Sequence, residues 1–145
     1  MVGRQERVVA GGRITVAWPG QSQPLPMEEA GFRVAEAVPE LLAPGEPYAE
    51  FSRVAVDPAY AAGRQCGLGL IFELARTAAG LGVDLVFSIC PQPMVRLNEW
   101  NSRRCGVAFR AFPEIHVPTP FRIHMTLCAY SGLIAAFHRP LHLSA

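Results

Sequence analysis

The sequence predicts a single α/β domain, and three stretches predict it. Phe51-Ser52-Arg53-Val54-Ala55-Val56 has the composition of a strand and is closed by Asp57-Pro58. Arg64-Gln65-Cys66-Gly67-Leu68-Gly69 then reads as a glycine-rich turn that opens a helix. Val83 to Cys90 is nearly continuous apolar sequence, the pattern of a strand buried on both faces and paired in parallel. Strand, turn, helix and buried strand in that order describe an α/β sheet.

Composition sets the outer limits. The chain has 145 residues, enough for one domain with one core. Half of it is apolar and 17% is charged, which excludes disorder. A net charge of +1 gives no bulk attraction for a polyanion, so no nucleic-acid partner is expected. No apolar run reaches the length of a membrane span, and the N-terminus lacks a hydrophobic signal core, so the expected location is the cytoplasm. Cys66, Cys90, Cys105 and Cys128 show no paired spacing and read as reduced thiols without a metal.

Taken in order, residues 1–20 read as a hairpin, with Gly11-Gly12 turning between Arg7–Ala10 and Arg13–Trp18. Residues 19–47 are rich in proline and glycine and read as loop, with a short helix over Val34 to Leu42 that Pro39 interrupts or opens. Glu28, Glu29, Glu36 and Glu40 read as a solvated face. From Leu68 the helical period places Leu68, Ile71, Leu74, Ala75 and Ala78 on one stripe, against Glu73, Thr77 and Gly80. Gly80-Leu81-Gly82 is a C-terminal stop. Met94 to Cys105 is the next helix, closed by Gly106. Val107–Val117 and Phe121–Tyr130 form a C-terminal hairpin through Pro118-Thr119-Pro120. His116 and His124 lie in these strands without carboxylates at ligand spacing, so a metal site is not expected.

Two features carry chemistry. A glycine-rich segment opening a helix lets backbone amides approach an anion, and the helix dipole adds attraction. The spacing matches neither the Walker loop nor the Rossmann fingerprint. Glu50-x-Ser52-Arg53 places three polar side chains at the head of an apolar strand. Alternation puts Glu50, Ser52 and Val54 on one face and Arg53 on the other, and a bulge would bring Glu50 and Arg53 closer. The pair reads either as an edge salt bridge or as a carboxylate beside a reacting amine, with the arginine fixing its position.

Arg64-x-x-Gly67-x-Gly69 after a Val-Asp-Pro-x-Tyr strand end resembles the pyrophosphate loop of the GNAT N-acyltransferases. Ala49 to Pro58 is similar to the Glu-x-Ser-Arg-x-x-Val-Asp signature of the branch containing acyl-homoserine-lactone synthases and long-chain N-acyl amino acid synthases. The resemblance covers about residues 7–130 and is sharpest over 49–90. It implies a GNAT-like mixed sheet of about six strands flanked by helices, with the N-terminal strand and helices of that fold missing. The whole chain, 1–145, would be one domain: hairpin 1–20, donor-binding core 48–90 and C-terminal hairpin 106–130.

The resemblance further implies transfer of an acyl group from acyl-CoA or an acyl carrier protein to a small-molecule amine such as an amino acid, by direct attack in a ternary complex. No permanent cofactor is implied. Val54 and Val56 would offer backbone groups to pantetheine. Arg64, Gln65, Cys66, Gly67, Leu68, Gly69 and Leu70 would hold the phosphates. Glu50 and Arg53 would serve the acceptor, with Glu50 as base. Many members carry a tyrosine as general acid four residues before the glycine ending the next helix, and here that position is Ser102. Ala61-Ala62-Gly63 lengthens the loop between Tyr60 and Arg64. The upstream arginine, aromatic and aspartate set of the S-adenosylmethionine-using synthases has no counterpart, which disfavours homoserine-lactone synthesis. Acetyl transfer to a small amine or protein, and a non-catalytic or shortened acyl-carrier-binding homologue, stay open. The missing helices would leave an apolar sheet face for a second copy or another polypeptide to cover.

Overall fold

The computed structural model describes residues 10–56, 64–120 and 123–137. Five strands form one mixed sheet: β1 (Ala10–Ala17), β2 (Tyr48–Val56), β3 (Val86–Pro91), β4 (Ala108–His116) and β5 (Met125–Ser131). Their order across the sheet is β1-β2-β3-β5-β4. Only β2 and β3 run parallel; every other neighbouring pair is antiparallel. The mixed α/β sheet flanked by helices that the sequence predicts is therefore the observed fold, with five strands among the described residues in place of about six.

Each face of the sheet is covered differently. The helices α2 (Arg64–Gly80), α3 (Gln92–Arg104) and α4 (Leu133–Phe137) close one face over Ala49, Phe51, Val86, Cys128 and Tyr130. The other face packs Phe87, Leu127, Ala129 and Phe112 against Leu25, Met27, Val34 and Val38. Those last four belong to a segment holding a 3-10 turn at Pro26–Glu28, the single-turn helix α1 (Val34–Ala37) and a second 3-10 turn at Pro39–Leu41. Side-chain alternation along β3 divides it between the two cores, Val86 and Cys90 to one and Phe87 and Ile89 to the other.

Helix α2 buries the face its period predicts: Ile71, Leu74, Ala75 and Ala78 are buried, whereas Glu73, Thr77 and Gly80 are exposed. It ends in a Schellman motif, with Val83 N–H on the Ala78 carbonyl, Gly82 N–H on the Ala79 carbonyl, and Gly82 at φ 82°. Val83 therefore serves as the apolar residue after the cap, and β3 begins only at Val86. α3 ends the same way at Gly106. It starts at Gln92, two residues before the expected Met94, because Pro91 and Pro93 sit where a helix start tolerates proline.

Three expectations need correction. Gly11 and Gly12 make no turn: they lie inside the continuous strand β1, which pairs with β2 from Ala10↔Val56 to Ala17↔Tyr48. The glycine that reads as a turn is instead a point of close approach, since a Cβ on Gly12 would lie 3.0 Å from Leu74 Cδ1. Residues Arg7 to Val9 of the proposed first strand lie outside the described residues. Arg64 to Gly69 is helical and forms the opening turns of α2. The residues that precede it, 57–63, lie outside the described residues. Glu28 is not part of a solvated face; it is 7% exposed.

Candidate active site

The site begins where β2 and β3 part. They pair only at Ala49↔Val86 and Glu50↔Phe87, and beyond that rung each runs on without the other. A bulge in β2 accompanies the parting. Gly11 faces Ala55 and Arg13 faces Ser52, so Arg53 and Val54 together oppose Gly12 alone. Arg53 adopts φ 53°, a left-handed conformation that costs a non-glycine residue roughly 1–2 kcal/mol. Such strain persists where surrounding structure enforces it.

A cavity of about 630 Å³ fills the opening. One wall is β2 from Glu50 to Val54, and the opposite wall is β3 from Ser88 to Pro91. Met94 and Asn98 of α3, Met27 and Glu29 of the 25–34 segment, and Pro118 to Pro120 complete it. Lining residues come from both cores, so the cavity passes through the sheet.

Glu50 stands at the last common rung and is 2% exposed. Its Oε1 accepts the Met27 backbone N–H at 2.8 Å. Burial pushes its carboxyl up to about 7, against the lowering effects of that hydrogen bond and of Arg13 on β1, while Glu28 and Glu29 add to the rise. A carboxyl poised near neutrality suits a general base. No ion pair joins Glu50 to Arg53, so the salt bridge offered by the sequence is not formed. The bulge does exist, and both residues line the cavity.

Across the cavity lie two hydroxyls and a thiol. Ser88 Oγ and Tyr130 Oη are hydrogen-bonded at 2.8 Å, and burial raises the Tyr130 phenol. Cys90 Sγ stands 3.7 Å from Cys128 Sγ and accepts Asn98 Nδ2 at 3.4 Å. The Cys128 hydrogen bond draws the Cys90 thiol downward against its burial, while the same contact and burial raise Cys128. Ser52 Oγ is buried at the cavity wall with no partner among the described residues.

The remaining expected residues fall as follows. Val54 lines the cavity and is 48% exposed. Val56 ends β2, and Arg64, Gln65, Cys66, Gly67 and Leu68 open α2; their side chains lie outside the described residues. Gly69 and Leu70 continue the helix, Leu70 packing on the core. Ser102 is not brought to the site. It is 1% exposed beneath α3, outside the cavity lining, and its Oγ has no partner among the described residues. One helical turn earlier, Asn98 reaches the cavity in its place. His116 and His124 are exposed, with Nδ1 atoms 2.8 Å apart, where the chain leaves β4 and enters β5. Among the described residues no three or more His, Cys, Asp or Glu side chains are grouped to hold a metal ion. No described helix is long and apolar enough to cross a membrane.

No protein family matches the chain, and no curated protein matches it. Solved structures do. MesI, a CoA-dependent acyl-homoserine lactone synthase, matches with a TM-score of 0.53 and 20% identity over 94% of this chain and 65% of that one. BjaI, a CoA-dependent acyl-homoserine lactone synthase solved with SAM and isopentyl-CoA, matches with a TM-score of 0.56 and 18% identity over 96% and 61%. The AHL synthase LasI matches with a TM-score of 0.55 and 15% identity over 96% and 68%.

The chain has the fold of the acyl-homoserine lactone synthases. It spans less than two thirds of the MesI and BjaI chains. Within this synthase fold, Met27 and Asn98 are the site residues that sequence reasoning missed. Met27 acts through its backbone, which no side-chain pattern reports. Asn98 had a signal: it lies on the same face of α3 as Ser102, one turn nearer the strand end.

Proposed function

We propose that the protein is an acyltransferase that passes an acyl group from a pantetheine thioester, acyl-CoA or acyl carrier protein, to an amine of the amino-acid class. The single observation that carries this reading is the opening between β2 and β3, with the raised Glu50 carboxyl at its inner end. A thioester arm laid in the cavity would run past Glu50 between two strand walls whose cavity-facing backbone groups lack strand partners. Glu50, ionised, accepts the proton the amine must lose as its nitrogen attacks the thioester carbonyl. Backbone amides of Val54 to Val56 stabilise the developing oxyanion. Arg53, held in place by the bulge, orients the acceptor. The first turn of α2, opening at Arg64, offers amides without helical partners to the phosphates of the donor. The sulfur is protonated by water or by a group other than Ser102, which lies away from the cavity.

The likeness to MesI and BjaI supports an acyl thioester as donor. The acceptor is proposed at the level of an amine, because the chain spans less than two thirds of those proteins. The test is a product screen by mass spectrometry, with medium- and long-chain acyl-CoA against amino acids and S-adenosylmethionine. An N-acylated product is expected. Glu50→Gln should lower its rate by about 10²-fold or more while calorimetry shows donor affinity nearly intact. Full turnover in that variant would return Glu50 to a structural role.

A further inference from the structure

Glu50 is only as well placed as the amide that holds it. That amide belongs to Met27, in a segment with little regular structure of its own: a single 3-10 turn and one turn of helix between Leu25 and Ala37. The segment's backbone bonds are all local; its apolar residues pack on the sheet, and one side chain ties its ends together. Glu28 Oε1 accepts the Leu25 N–H at 3.0 Å, and Glu28 Oε2 accepts the Val34 N–H at 3.0 Å. One carboxylate thus joins both ends of the ten-residue stretch 25–34. The Glu28 carbonyl in turn accepts Arg33 Nη1 at 3.3 Å. Met27, inside the clip and 4% exposed, is left with its N–H aimed at Glu50 Oε1.

We propose that Glu28 is a positioning residue for Glu50, clipping residues 25–34 so that the Met27 N–H holds Glu50 Oε1 and sets the carboxyl at the cavity. This rests on the reading of Glu50 as the base. The charged groups acting on Glu50 are Arg13 from β1 and Glu28 and Glu29 from the clipped segment. Glu28 therefore acts on Glu50 in two opposed ways. Its charge raises the Glu50 carboxyl, and the Met27 bond it maintains lowers it, the bond having the larger effect.

That opposition gives the test its sign. Glu28→Asp keeps the charge but is one methylene too short to reach both Leu25 N–H and Val34 N–H. Glu28→Gln removes the charge and sets an amide NH₂ against one of the two donors. The measurement is a titration of the Glu50 carboxyl by carbon-13 NMR without substrate, so it reads Glu50 whether or not acyl transfer occurs. The product assay separately decides the reading of function. A Glu50 midpoint raised in Glu28→Asp, and raised less in Glu28→Gln, is expected. In the same variants turnover should fall severalfold with donor affinity kept. A midpoint unchanged in Glu28→Asp and lowered in Glu28→Gln would mean that Glu28 acts by charge alone and overturns the proposal. So would a folded variant that merely melts earlier with both midpoint and turnover unmoved. Should neither variant fold, amide exchange in the wild-type protein decides: protected Leu25 and Val34 N–H groups, the two donors to Glu28, support the clip, and free exchange at both overturns it.

Discussion

β3 has two sides, and they are built to opposite ends. Toward β5 it pairs at six positions, from Val86↔Tyr130 to Pro91↔Met125. Toward β2 it pairs at two and then lets go. The same six residues thus make a closed ladder on one side and the wall of a cavity on the other. The difference is not one of β3's composition, since a single strand serves both. It lies in the neighbours: β5 follows β3 without interruption, whereas β2 is diverted by the bulge at Arg53. The comparison teaches that the sheet's pairing and its opening are separable, one residing in the β3–β5 ladder and the other where the bulge turns β2 aside.

The harshest way to break that separation is at the rung both sides share. Phe87 pairs with Ala129 on one side and with Glu50 on the other, is fully buried, and meets Tyr48 edge-on with ring centroids 6.0 Å apart. Phe87→Ala should cost about 3–5 kcal/mol in urea denaturation and take donor binding with it. A variant that loses binding but keeps its stability would show that the ladder does not carry the fold.

The next test is pH. The Glu50 carboxyl lies at about 7 in the folded protein, above the 4.5 expected when exposed. In the window between those values the folded state holds more protons than the unfolded one, so stability falls as pH rises. The contribution is fully present below 4.5 and lost through about 7, on the order of 3 kcal/mol at most. Chemical denaturation across pH 4 to 8 should show this decline, and Glu50→Gln should flatten it. Turnover should move the opposite way, rising as Glu50 ionises.

Smaller effects sharpen the contrast. Arg53→Gly relieves the left-handed backbone and should stabilise the protein by roughly 1 kcal/mol while lowering turnover. A loss of stability instead would mean that the arginine side chain holds the bulge. Ser102→Ala, away from both sides of β3, removes a buried hydroxyl that lacks a partner among the described residues. It should be neutral or stabilising by about 1 kcal/mol, with turnover unchanged; a large drop in rate would restore Ser102 as an acid.

What the sequence made legible was what depends on period. The α2 stripe from Ile71 to Ala78 and the buried run of β3 follow from spacing alone, and the stop at Gly82 from local cap chemistry. What it hid depends on distant partners. Gly11-Gly12 has the composition of a turn, and nothing local in the sequence reports that Gly12 lies in a strand closely approached by Leu74. Glu28 sits among other glutamates in an aperiodic, proline-rich stretch, and its burial follows from amides three and six residues away. Glu50 and Arg53 were legible as polar residues heading an apolar strand. Their environment was not, because the parting of β2 from β3 is a property of two strands thirty-odd residues apart.

The one-sidedness of β3 also bears on how the protein breathes. Along a strand, successive backbone amides point to opposite neighbours. Past Phe87, therefore, every second amide of β3 faces β5 and its alternates face the cavity. The first set can exchange with solvent only when the ladder opens, close to global unfolding, whereas the second needs only a local excursion. β3 is thus pinned by six rungs toward β5 and by two toward β2, so exchange along it should alternate between slow and fast amides.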